Sequence, residues 1–336
     1  FGGPAESAEA AGLHVRDEHA AGCITLQRPS RLNALTPSMY RAISERVPVW
    51  SRAPLTYCVL LESAVPQCFC AGTDFAALSD LARSDLPAAR RALADAYTLV
   101  WQLDCFAKPA VAFIDGVVIG AGVGISLYGT HRVAGERYRF SMPETAMGWI
   151  PDHGLSHVFA RMPSRIGMYL ALTGPSLGVA DAFELGLITH FIPSAQYADI
   201  RACLSDADPV DPLLDGLHVD PGPGELKPYV ETIARCFSAD SVDGIIARLQ
   251  REGGAARTWA AGVAEDLLRL SPTSLGITHR MVREAGTLDL RETLVQDYRI
   301  ACRLLLAPDF DEGVRRHASS ADGGAHWHPA RLADLQ

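Results

Sequence analysis

The chain has 336 residues, 48% of them hydrophobic and 21% charged, with a formal net charge of −9. That length can bury a full core and permits two domains, while no apolar run approaches the about 20 residues of a membrane-spanning helix, which excludes an integral membrane protein. The acidic balance argues against general nucleic-acid binding, which relies on basic faces.

In chain order, residues 1–10 are small and polar and are expected to fray. The β-rich run Ala21-Gly-Cys-Ile-Thr-Leu-Gln27 predicts a strand, and Arg28-Pro-Ser-Arg-Leu-Asn33 the loop that follows it. Thr36-Pro37 opens a helix, with proline at its tolerated first-turn position. Thr56–Glu62 and Pro109–Asp115 predict two further strands. Between them, Cys70-Ala-Gly-Thr-Asp74 is a small-residue turn with a helix starting near Asp74. A second such turn, Gly120-Ala-Gly-Val-Gly124, leads an apolar stretch to Leu127. His131–Ala134 and Tyr138–Phe140 complete the predicted strands.

Alternating strands and helices over residues 20–195 predict an α/β layered core, bounded at 11–205. Residues 206–228, rich in Asp, Pro and Gly, are expected to form a long loop. Residues 229–336 are expected to form a helical C-terminal region, with helices beginning at Ser271-Pro272 and running over Leu290–Leu306, and then a tail from Ala318 in an extended wrap. No internal repeat is present.

The eight cysteines include no C-x-x-C pair, and Cys68 with Cys70 lie too close for good chelation. Most sit in apolar contexts, where free cysteine behaves as a small buried hydrophobe, so a reducing compartment is expected rather than a disulfide framework.

Chemistry concentrates in Phe140-Ser-Met-Pro-Glu144-Thr-Ala-Met-Gly-Trp-Ile-Pro-Asp152 and in the two turns upstream of it. Turns without bulky side chains aim backbone N–H groups outward. Carboxylates facing such donors make a kit for acyl chemistry on a thioester. Each element also has a purely structural use: the first turn as an ordinary strand-to-helix connection, the second as close packing of a helix. Glu144 equally suits a helix start, and Asp152 an Asx turn. The 120–124 turn fails the G-x-G-x-x-G dinucleotide spacing and lacks the ribose acid. His153, His157 and His190 form no zinc-binding spacing, and no G-x-S-x-G elbow supports a serine hydrolase.

The segments Arg28–Thr36, Phe69–Asp74, Gly120–Ser126, Met142–Gly148, Pro151-Asp152, Leu170–Gly174, Ser271–Leu275 and Asp309–Arg315 together resemble the enoyl-CoA hydratase/isomerase (crotonase) superfamily. The resemblance runs from about Gly22 to Leu332, and its last two segments point to the hydrolase branch. It implies a crotonase-like spiral of ββα units with a helical C-terminal region, assembled as a homo-oligomer. It also implies an acyl-CoA substrate, with coenzyme A as part of that substrate and no separate cofactor or metal. The family's two oxyanion-hole amides fall on Thr73 and Ala121, and its acids on Glu144 and Asp152. Its CoA contacts fall on Arg28, Arg31, Asn33, Ala34, Ala71 and Asp74, with the two arginines as phosphate partners.

Hydratases of this family carry a second glutamate where this chain has Gly124. Adding water across a double bond needs two acid/base groups, so thioester hydrolysis is the expected reaction; the resemblance to the hydrolase branch implies 3-hydroxyisobutyryl-CoA of valine breakdown as the substrate and the mitochondrial matrix as the compartment. Glu144 then activates water or attacks to form a mixed anhydride, and Asp152 orients water or the substrate hydroxyl. The chain departs from the hydrolase pattern at Thr73 and Ala121, where glycine is usual, and at His153-Gly-Leu-Ser-His157, which replaces a glycine-rich turn. Those departures keep open a second use, as a hydrolase-like structural subunit of the mitochondrial small ribosomal particle. Enoyl-CoA isomerisation is a lesser alternative.

Overall fold

The computed structural model describes residues 12–319 and 324–335. The start expected to fray over residues 1–10 and part of the expected extended tail (320–323 and 336) lie outside them. Among the described residues nine strands succeed one another as β1 Leu13–Glu18, β2 Ala21–Leu26, β3 Cys58–Ser63, β4 Cys68–Cys70, β5 Ala110–Ile114, β6 Val117–Ile119, β7 His131–Ala134, β8 Arg139–Ser141 and β9 His190–Phe191. A helix follows each of the first three strand pairs: Pro37–Arg52, Phe75–Ser84 and Ala121–Leu127. That ββα repeat is the expected α/β class. β3, β5 and β7 join a six-stranded sheet of order β1-β2-β3-β5-β7-β9, while β4, β6 and β8 form a three-stranded one.

The described residues divide into two compact units. The first takes 12–74, 91–140 and 176–225, and the second 75–90, 141–175, 226–319 and 324–335. These bounds interleave along the chain, because segments 75–90 and 141–175 pack with the C-terminal helices.

In the first unit, β1 runs antiparallel to β2, and β2, β3, β5, β7 and β9 run parallel. All five residues of β5 are buried, the mark of a central parallel strand covered on both faces. On one face Ala21, Cys23, Cys58, Leu60, Val111, Phe113 and Val133 alternate inward with period two and pack against Ile200, Leu204, Val210 and Leu214. The last two belong to a helix, Val210–Leu217, inside the segment expected to be a loop. Its apolar side is what the sheet requires, and it overrides the turn-forming residues around it. On the other face Gly22 leaves room for Trp50, whose ring lies 2.4 Å from where a Gly22 side chain would begin.

Thr36 caps helix Pro37–Arg52 by accepting the Met39 N–H, as its sequence predicts. At the other end of that helix Lys108 Nζ donates to Trp50 O, Ala53 O and Thr56 O at 2.6–2.8 Å, placing a cation on the negative helix end. All eight cysteines are free. Burial pushes the thiols of Cys23, Cys58 and Cys70 up to about 12, so they act as small hydrophobes.

The second unit is helical. Its helix Ile166–Thr173 is buried on every side from Ile166 to Leu172, as a helix without a polar face must be. Ser271 caps Pro272–Glu284 by accepting the Ser274 N–H, and Asp289 with Glu292 forms a capping box on Leu290–Leu304. The tail is anchored where Trp327 Nε1 donates to Arg269 O at 2.8 Å and His328 N donates to Asp309 Oδ1 at 2.6 Å.

Candidate active site

Within the first unit, β4 and β6 pair in parallel, Cys68 opposite Val117 and Cys70 opposite Val118. Both therefore deliver the chain from the same end of the sheet, one into Gly72-Thr73 and the other into Gly120-Ala121. Each turn is bent by a glycine in a conformation that side chains avoid: Gly72 at φ 94°, and Gly120 at φ 52°, ψ −121°. A side chain built on Gly72 would start 3.7 Å from Ala121 N, so the two turns are neighbours.

The Thr73 amide is aimed by its backbone partner. Leu35 N donates to Gly72 O at 2.7 Å and Asp74 N donates to Leu35 O at 2.9 Å. In that parallel bridge, the N–H of Thr73 itself points away from Leu35. At the second turn the N–H groups of Val123 and Gly124 both take Gly120 O. Ala121 N–H, one residue into the helix, has no preceding turn to bond. The sequence-predicted donor residues thus lie at two adjoining strand ends of one unit. The Thr73 side chain is held by Tyr40, hydroxyl to hydroxyl at 3.0 Å, and Ala121 is 2% exposed.

The residues expected to meet CoA lie in the same unit. Arg28 Nη1 sits 2.8 Å from Asp74 Oδ2 and donates to Ala34 O at 2.8 Å, so this arginine braces its own loop. Asn33 is fully buried: its Oδ1 accepts Arg28 N, and its Nδ2 donates to Ser63 Oγ and Phe69 O at 2.8–2.9 Å. Ala71 N donates to Leu32 O, and Arg31 is exposed. Sequence reading missed this internal bracing, because no spacing rule reveals the Arg28–Asp74 pair.

The second unit carries the acids. Glu144 opens a short 3-10 turn, Glu144–Met147, whose Thr145 hydroxyl donates to Leu172 O at 3.0 Å. Glu144 is 3% exposed and its Oε2 has no hydrogen-bond partner among the described residues. Burial, then the charge of Asp152, pushes its carboxyl well above the usual carboxylate range.

Asp152, 4% exposed, is held at both oxygens. Trp149 Nε1 donates to Oδ2 at 3.1 Å, and His153 Nδ1 lies 2.6 Å from Oδ1. Trp149 is fixed in turn between Phe310 and Phe75, with ring centroids 4.8 and 5.4 Å away. A buried carboxyl with one oxygen unpartnered thus lies within reach of the charge of a second carboxyl that is held at both oxygens. A third buried carboxyl, Asp297 on helix Leu290–Leu304, was not singled out from the sequence. Its signal was legible: it falls in the buried stripe Leu290, Leu294, Asp297, Ala301, Leu304, where an apolar residue belongs.

Among the described residues no group of three His, Cys, Asp or Glu side chains is placed to hold a metal ion, and no helix is long and apolar enough to cross a membrane.

Known proteins agree with this architecture. The enoyl-CoA hydratase/isomerase family profile matches residues 21–336. The chain is 36% identical to mitochondrial 3-hydroxyisobutyryl-CoA hydrolase of Xenopus tropicalis, over 94% of this chain and 84% of that protein. It is 34% identical to the human protein of that name, over 94% and 83%. Among solved structures, carnitinyl-CoA dehydratase of Mycobacterium thermoresistibile superposes with a TM-score of 0.91 at 33% identity, covering 97% of this chain and 94% of that one. An enoyl-CoA hydratase of Rhodobacter sphaeroides gives 0.88 at 32% identity, with the same coverage. The chain belongs to the enoyl-CoA hydratase/isomerase family of enzymes.

Proposed function

We propose that this protein is a CoA thioester hydrolase that cleaves 3-hydroxyisobutyryl-CoA to 3-hydroxyisobutyrate and CoA. The observation that carries the proposal is Glu144: buried, with one oxygen unpartnered, and beside an Asp152 whose two oxygens are occupied. One poised carboxyl suffices for hydrolysis. Hydration needs a second acid/base group, and the position that supplies it in hydratases is Gly124 here.

In the proposed reaction the N–H groups of Thr73 and Ala121 bind the carbonyl oxygen as it gains negative charge. Glu144 takes a proton from water while the water oxygen bonds to the carbonyl carbon. The C–S bond then breaks, and the sulfur leaves with its electron pair and acquires the proton. Alternatively Glu144 bonds to the carbon itself as the C–S bond breaks and the sulfur leaves with its electron pair to take up a proton, and water then opens the resulting anhydride to the two carboxyl groups. Single turnover in ¹⁸O-water separates the routes, since only the anhydride route can leave a label in the Glu144 carboxyl. Asp152 orients the water or the substrate hydroxyl. Arg31, exposed at the loop, meets CoA phosphate, and Arg28 shapes that loop through Asp74.

The curated relatives support this substrate and, by the word mitochondrial in their names, the matrix as its compartment. We also propose a homo-oligomer, as the family resemblance implies. A hydratase or dehydratase reading has its own support in the names of the two solved relatives, and Gly124 weighs against it. Purified protein given 3-hydroxyisobutyryl-CoA should release free thiol, and Glu144→Ala should abolish that release; equal release by the variant overturns the assignment.

A further inference from the structure

Asp297 is fully buried on helix Leu290–Leu304. Its Oδ2 accepts the Gly154 N–H at 2.8 Å, and its Oδ1 has no hydrogen-bond partner among the described residues. The acceptor is needed where it is. His153 and Gly154 are consecutive left-handed residues, at φ 58° and 76°, and the former is not glycine. A backbone in that state persists only when its surroundings hold it. The turn ends at Gly154, and the helix Leu155–Arg161 begins there.

We propose that Asp297 is a positioning residue for Asp152: by accepting the Gly154 N–H it locks the strained turn that presents Asp152 to Trp149 and His153. A neutral amide or a backbone carbonyl would serve as acceptor at lower cost, because burying a carboxyl with an unpaired oxygen is unfavourable. Such a local departure from the apolar stripe is expected at a functional site. Burial, and against the Gly154 bond the charge of Asp152, pushes the Asp297 carboxyl well above the usual range. The charged group that acts on it is Asp152, with its bonded His153 on the turn. On Leu155–Arg161, His157 and Arg161 are bonded to Leu288 O. On its own helix, Glu292 is spent in the capping box.

The catalytic consequence rests on the proposed hydrolase; the geometric one does not, and the test separates them. The Trp149 indole N–H bonds Asp152 directly, and with five tryptophans in the chain its ¹⁵N–¹H signal is readily assigned from Trp149→Phe. Asp297→Ala should move that signal and speed Gly154 amide exchange at least ~10-fold. Asp297→Asn, which keeps an acceptor, should preserve most of the wild-type spectrum. In thioester hydrolysis Asp297→Ala should lower kcat ~10–100-fold with KM nearly unchanged, the scale of a misplaced group. Added to Asp152→Asn it should cost nothing more. An unmoved Trp149 signal in folded Asp297→Ala, or full additivity with Asp152→Asn, overturns the proposal. A wild type that hydrolyses no thioester refutes the proposed function instead, and the Trp149 signal then decides on Asp297 by itself.

Discussion

Replacing Glu144 by glutamine should remove a loss of stability that the wild type suffers as pH rises, while destroying its activity. The folded-state carboxyl is raised above its ordinary value of 4.5, so between these two values the folded protein binds more protons than the unfolded chain. Stability therefore falls as pH rises above 4.5, until the folded-state value is passed, and it is fully present only below 4.5. Each pH unit within that window costs the wild type at most about 1.4 kcal/mol. An unfolding entropy near 2.1 cal/mol/K per residue gives about 0.7 kcal/mol/K for 336 residues. The cost is then about 2 °C in Tm per pH unit.

Glutamine does not ionise, so its Tm minus that of the wild type should climb from pH 4.5 upward and then level off. A buried amide without partners lowers the variant by a fixed amount at every pH, so the slope carries the information. Thermal unfolding by differential scanning fluorimetry across pH 4–9 measures it, and thioester hydrolysis should fall ~10²–10⁴-fold. Parallel Tm curves for the two proteins would refute the raised carboxyl, and retained hydrolysis would refute its role.

Asp152→Asn removes the charge that helps hold Glu144 protonated, so the acid limb of kcat/KM should move to lower pH; an unmoved limb contradicts the coupling. Gly120→Ala forces a side chain into φ 52°, ψ −121° and should displace the Ala121 amide, cutting kcat ~100-fold or more with a lower Tm. Leu214→Ala should cost about 2–5 kcal/mol in chemical denaturation, because Leu214 is fully buried against the sheet; a loss below 1 kcal/mol would mean that the helix Val210–Leu217 is dispensable.

Local chemistry decided what was legible in the sequence. The helix Pro37–Arg52 announced itself through Thr36 and Pro37, and Leu290–Leu304 through its apolar spacing. β1 escaped because Leu-His-Val-Arg-Asp-Glu is mostly polar, as befits an antiparallel strand at the end of the sheet order. β4 and β6, three residues each, are too short to show a period. Yet they aim the two glycine turns. Val210–Leu217 was hidden by Asp and Pro within it, since its stability comes from the sheet beneath. Glu144 and Asp152 were visible as residues, whereas the bonds of Trp149 and His153 to Asp152, and the reach of Asp297 to Gly154 across 143 positions, are products of folding.

The most direct test presents the purified protein with 3-hydroxyisobutyryl-CoA and, in parallel, crotonyl-CoA, following free thiol and loss of the enoyl absorbance. The account predicts thiol release from the first and no hydration of the second, the outcome expected with glycine at position 124. Rapid hydration of crotonyl-CoA without thiol release from either substrate would contradict it.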